Sequence, residues 1–139
     1  MGTISFNNHD ISPKLKDKLL IKSFLASVFA EEGLEFHSLS YIFCTDDYLL
    51  KLNKQYLNHD TFTDILTFTL SETSLPLVAE IYISVERVKE NASKLNVNYV
   101  DELHRVMIHG ILHLCGYEDG TPLQKQEMRN MENHYLSEL

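Results

Sequence analysis

The sequence has no long apolar run, few cysteines and a shortage of positive charge, and each deficit excludes something. Nothing approaches the roughly 18 consecutive apolar residues that a membrane-spanning helix needs, so a membrane protein is not expected. The N-terminal stretch MGTISFNNHD lacks the basic and apolar regions of a secretory signal, and a cytoplasmic protein is expected. The two cysteines, Cys44 and Cys115, stand singly inside apolar segments and read as buried free thiols in a reducing compartment. Twelve Lys and Arg against 20 Asp and Glu leave a net charge of −8, which argues against a protein that coats nucleic acid through bulk positive charge. A local basic groove or a bound metal could still engage phosphates. No repeat, low-complexity tract or linker divides the chain.

What remains is ordinary for one globular domain: 139 residues, 44% hydrophobic and 23% charged. Thr3 to Asn8 suggests an edge strand. Ser12 and Pro13 look like a cap and first residue of a helix reaching Glu32, with Leu15, Leu19, Ile21, Phe24, Leu25, Val28 and Phe29 at helical spacing and Gly33 ending it. Glu35 to Cys44 reads as an inner strand, and Thr45 with Asp46 and Asp47 opens a helix to Leu57. Strands follow at Ile65 to Leu70 and Val78 to Ser84. Helices follow from Ser84 to Leu95, Tyr99 to Cys115 and Pro122 to Leu139, the last packing through Met128, Met131, Tyr135 and Leu139. The order β-α-β-α-β-β-α-α-α predicts an α/β (α+β) domain with a four-stranded mixed sheet and about five helices. The loop between the last two strands is too short for a crossover, so they should pair antiparallel.

The chemistry concentrates in IHGILHLCGYEDGT, Ile108 to Thr121. His109 and His113 are four apart in an apolar run, which places both imidazoles on one face of a helix, one turn apart. A lone histidine there would be a core residue with a satisfied hydrogen bond. A pair, followed by Gly116 to reverse the chain and Asp119 to supply a carboxylate, points instead to a three-ligand metal site that keeps a position for water. Two imidazoles and a carboxylate suit zinc, one per chain; iron, manganese and nickel accept the same set. Zinc peptidases of the H-E-x-x-H type carry their general base directly after the first histidine, where this chain has Gly110. Glu118 is the nearby carboxylate that could serve as a base.

The run HGILHLCGYEDGT resembles the H-G-x-L-H-L-x-G-Y-D-H signature of the YbeY family of bacterial rRNA maturation endoribonucleases. Leu52 to Phe68 (LNKQYLNHDTFTDILTF) is similar to that family's L-N-x-x-Y-R-x-x-D-x-x-T-D-V-L-S-F segment, and Ala79 to Ala92 resembles its G-D-I-x-I-S segment, with Glu80 in place of the Asp. The resemblance implies a single-strand-specific, metal-dependent endoribonuclease acting on the 3′ end of small-subunit (16S) ribosomal RNA and in ribosome quality control, with RNA and the small ribosomal subunit as partners. It implies that His109 and His113 are ligands and that Asp119 stands where the family has a third histidine. Asp64, with Tyr56, Asp60 and Thr63, matches the upstream motif; it is carried as a catalytic candidate with His109 and Glu118, although these residue types also suit turn chemistry. Leu57 stands where the family has an arginine thought to assist catalysis. Asn58, His59 or Arg105 could take that role, and with Tyr56 they form the candidate substrate contacts. The rival readings are a ribosome-associated binding module with a structural metal, and a metal-dependent hydrolase of another substrate such as a peptide.

An aspartate ligand cancels one of the two positive charges of a zinc ion, where a third imidazole would leave both, so the water activated there should be less acidic. Asp119→His is therefore expected to move the acidic limb of the pH–rate profile downward. An unmoved limb would sink this account of the water's acidity.

Overall fold

The computed structural model describes residues 2–139. Its elements follow the expected order: β1 (Thr3–Asn8), α1 (Lys18–Glu32), β2 (Phe36–Cys44), α2 (Asp46–Leu57), β3 (Ile65–Thr69), β4 (Leu77–Ser84), α3 (Val85–Leu95), α4 (Tyr99–Leu114) and α5 (Pro122–Glu138). The sheet runs β1-β2-β4-β3. β1, β2 and β4 are mutually parallel, and β3 joins the far edge antiparallel to β4, paired from Ile65 opposite Ile83 to Thr69 opposite Ala79. The mixed sheet follows from connection lengths: a helix joins β1 to β2, whereas the short loop after β3 permits only a hairpin-like return.

The period-2 alternation of the strands divides the protein into two unequal cores. Leu39, Tyr41 and Phe43 of β2 and Ala79, Ile81 and Ile83 of β4 face the larger one, with buried residues of α1, α3, α4 and α5. Cys44, Leu66 and Tyr82 face the smaller one, closed by Leu49 and Leu52 of α2. Both cysteines are free, and burial pushes each thiol up to about 12, which makes them inert packing residues.

One boundary departs from the sequence expectation. The first helix begins at Lys18, not at Pro13. Lys14 and Asp17 both take the left-handed conformation (φ 57° and 52°), and the Ser12 hydroxyl accepts from the Lys14 amide in a local turn. Two left-handed residues cannot sit within a right-handed helix, so the Ser-Pro pair closes a turn instead of opening one. As a consequence Leu19, expected on the packing stripe, is 83% exposed. At the chain's other end Met128 and Tyr135 are buried as expected, Met131 is half-buried, and Leu139 is exposed.

α4 is the central element of the larger core. Leu103, Val106, Met107, Ile108, Ile111 and Leu112 are all buried, and the Tyr41 hydroxyl donates to the Met107 carbonyl at 2.8 Å from the sheet below. At about 1.5–3 kcal/mol for each such side chain, burial holds this helix with on the order of 10 kcal/mol. The approach is closest at Gly110, where a Cβ would lie 2.8 Å from Ile81 Cδ1 and 2.9 Å from Ile65 Cδ1. Gly110 thus presses on β3 and β4, and the position that carries a base in zinc peptidases has no room for a side chain.

Gly110→Ala is expected to destabilise the protein by about 1–2 kcal/mol despite the better helix propensity of alanine, because the isoleucines must be displaced. Denaturant unfolding measures this; a stabilised variant would show that the contact yields freely.

Candidate metal centre

The site stands where α4 ends and the chain turns back. α4 closes in a Schellman arrangement: the Gly116 amide donates to the His113 carbonyl and the Tyr117 amide to the Leu112 carbonyl, both at 3.0 Å, with Gly116 at φ 105°. A few residues on, the Thr121 hydroxyl accepts from the Gln124 amide while the Gln124 side chain accepts from the Thr121 amide, a capping box that begins α5 with Pro122 at its first turn. Asp119 lies in the segment between these two fixed ends.

This segment delivers the aspartate to the histidine pair. His109 Nε2 is 3.5 Å and His113 Nε2 3.6 Å from the same oxygen, Asp119 Oδ2, and one ligand atom from each of the three residues lies within 4.8 Å of the others. Ligands of a tetrahedral ion bound at about 2.0–2.1 Å stand roughly 3.3 Å apart, so the donors fit a small divalent cation with little adjustment. The histidines are largely sheltered, at 19% and 29% side-chain exposure, and the aspartate is more open at 45%. Glu31, His134 and Glu138 also come together, but all three are exposed and none is held by the core.

Behind the centre lies a residue that the sequence reading missed. Glu132 of α5 is buried, its Oε2 2.7 Å from His109 Nδ1 and its Oε1 accepting from Arg105 Nη1 at 2.9 Å. With a carboxylate at Nδ1, that nitrogen is the donor, and Nε2 is left with its lone pair facing Asp119. Burial opposes charge on His109, but the hydrogen bond and charge of Glu132, aided by Asp119 and Asp64, outweigh it and raise its pKa. Burial likewise disfavours the Glu132 carboxylate, and its bonds to His109 and Arg105 overcome that and lower its pKa, so it is ionised. A signal for Glu132 existed: it stands in the stripe Met128, Glu132, Tyr135, where an apolar residue belongs.

The remaining candidates divide. Asp64, immediately before β3, is half-buried; burial raises its pKa, opposed by the charge of His109, and its neighbour Ile65 packs against Gly110 of α4. Its carboxylate also accepts from Asn91 Nδ2 at 3.4 Å. Glu118 turns away: it accepts from Gln124 Nε2 at 3.2 Å and lines a separate groove with Glu32, Tyr117 and Glu127. Arg105, expected as a free cation, is committed to Glu132 and, at 2.8 Å, to Asn133 Oδ1. Asn58 is the left-handed cap of α2, His59 donates its amide to the Asn53 carbonyl at 3.1 Å, and Tyr56 is exposed with its ring edge-on to Phe68. A groove of about 450 Å³ opens beside the centre, lined by His109, Asp119, Lys125, Gln126, Met128, Arg129 and Glu132; Tyr56, Asn58 and His59 are not in its wall.

Fold and site together define an α+β protein whose buried helix presents a two-histidine, one-carboxylate centre to an open groove. The family described as "Endoribonuclease YbeY" matches residues 3–139, and the chain belongs to that family. A relative from Amoebophilus asiaticus, named "Endoribonuclease YbeY", is 43% identical over 127 residues, covering 91% of this chain and 86% of its own. One of the same name from Cytophaga hutchinsonii is 42% identical over 135 residues, 97% of this chain and 94% of its own. A solution structure of a Thermotoga maritima protein superposes with a TM-score of 0.70 at 32% identity, covering 98% of this chain and 88% of that one.

Glu132→Gln keeps the shape behind His109 and removes the charge. Affinity for zinc should fall about 10–100-fold, measured by competition with a chromophoric chelator. Because Glu132 raises the pKa of His109, protons compete with metal up to a higher pH in the parent protein than in the variant. The midpoint of the fall in affinity with pH, taken relative to each protein's own high-pH limit, should therefore move down in Glu132→Gln; an unchanged affinity and pH profile would remove Glu132 from the centre.

Proposed function

We propose that the protein is a metal-dependent endoribonuclease that hydrolyses phosphodiester bonds in single-stranded RNA, acting in the cytoplasm on the 3′ end of small-subunit ribosomal RNA and in ribosome quality control, in association with that subunit. The observation that carries the reading is the convergence of His109 Nε2, His113 Nε2 and Asp119 Oδ2, in a chain of the endoribonuclease YbeY family. Zinc is the ion that this donor set suits best, one per chain.

His109, His113 and Asp119 would hold the ion. When bound, it supplies a Lewis acid for a phosphate oxygen and lowers the pKa of water, several kcal/mol of transition-state stabilisation. The protein's own groups do the rest. Glu132 fixes the His109 ring and its tautomer. Asp64, whose pKa is raised by burial, is the general-base candidate in place of Glu118, which turns to Gln124. Met128, buried beside His109 and Asp119, gives the groove wall an apolar patch. A peptidase mechanism finds no base after the first histidine, because Gly110 faces the sheet.

Purified protein should contain one equivalent of zinc by elemental analysis and cleave a single-stranded RNA oligonucleotide. Chelation, or His113→Ala, should lower the rate at least ~100-fold, as expected from losing several kcal/mol, and added zinc should rescue the chelated protein but not the variant. Full activity in metal-free His109→Ala protein would reject the scheme.

A further inference from the structure

The sequence offers leucine at position 57, where a phosphate-binding arginine is expected, and the structure removes Arg105 from the substitutes by pairing it with Glu132 and Asn133. Cations that do face the groove lie elsewhere. Lys125 and Arg129, on the first turns of α5, are exposed and line the same groove as His109 and Asp119. They are four apart on the helix, so their side chains project one turn, about 6 Å, from each other along one face. Of the three arginines, Arg87 is tied to Asp46 and Glu90, and Arg105 to Glu132. Among the described residues, neither Arg129 nor Lys125 forms an ion pair; the pairs found engage other cations.

The groove's own lining sets two cations, Lys125 and Arg129, against the carboxylates of Asp119 and Glu132, and Glu132 is already held by Arg105, on a chain whose net charge is −8. Two cations without ion-pair partners, one helical turn apart in the groove beside a metal-ligand cluster, can attract and orient a polyanionic backbone. Cations whose donors are not committed to an ion pair can bond a ligand, whereas Arg105, with its donors engaged, cannot.

We propose that Lys125 and Arg129 bind the RNA phosphates that flank the scissile bond, so that the substrate strand runs along α5 and takes from this helix the electrostatic contact that Leu57 cannot provide. The proposal rests on the reading of the centre as an RNA-cleaving site. Arg129 would contact a phosphate through its planar donor fork and Lys125 as a point charge. Both side chains are on the surface and bear no weight of the core, so they can be changed without disturbing the metal ligands.

The test is the zinc-loaded protein with a fluorescent single-stranded RNA oligonucleotide, comparing the parent with Lys125→Gln/Arg129→Gln. Loss of two phosphate contacts should shrink the slope of log binding constant against log salt by about 1.4, since each contact to a single strand contributes about 0.7. KM should rise about tenfold or more at low salt, with zinc content unchanged. Lys16→Gln/Lys18→Gln removes the same charge near the opposite end of α4, and should leave slope and KM as in the parent. A parent slope and KM in the α5 variant would overturn the assignment, as would equal losses in both variants, which would make the effect one of net charge. A parent protein that neither binds nor cleaves RNA would instead overturn the reading of the centre, and the assignment with it.

Discussion

The Glu132 carboxylate, buried between Arg105 and His109, is the interaction on which the rest of the centre depends. Taking a carboxylate out of water costs several kcal/mol, and its pairing with Arg105 roughly offsets that cost and no more. The ion pair is therefore weak as a source of stability. What makes the arrangement affordable is α4, whose buried apolar side chains contribute on the order of 10 kcal/mol and fix both Arg105 and His109 on one face, a turn apart. α5 contributes the carboxylate from its own packing stripe. The packing of two helices thus determines where His109 Nε2 points, before any ion is present.

The order of strands and helices was legible because it is local. Alternation marks β4, an N-cap with acidic first-turn residues marks α2, and the spacing of His109, His113, Gly116 and Asp119 describes a helix end that the Schellman hydrogen bonds reproduce. The start of α1 was not legible, because nothing in Lys14 or Asp17 announces a left-handed backbone; neither is glycine or asparagine. Glu132 and the engagement of Arg105 were hidden for a different reason. They depend on contacts between residues 27 and 23 positions apart, which no periodicity encodes. Glu118 and Asp119 show the limit most sharply: adjacent carboxylates in one short loop, and only the folded chain decides which turns to the histidines and which to Gln124.

The three prospective ligands differ in how firmly they are held, and that difference bears on the chemistry. His109 is fixed by a hydrogen bond from behind and a buried helix below, and His113 lies one turn further along the same helix. Asp119 comes from a loop, is the most open of the three, and is constrained only through the Schellman end of α4 and the capping box of α5. A rigid pair of nitrogens with a more adjustable oxygen would hold an ion while leaving its third ligand room to adjust. As a ligand, the anionic Asp119 would weaken the ion's pull on substrate charge, and other positive groups would then contribute more. Lys125 and Arg129 of α5 form no ion pair among the described residues and line the groove beside the centre, whereas Arg105 is engaged. If Asp119 holds the ion, its charge lowers the ion's pull on phosphate, and Lys125 and Arg129 in the groove wall are the groups placed to supply part of that stabilisation.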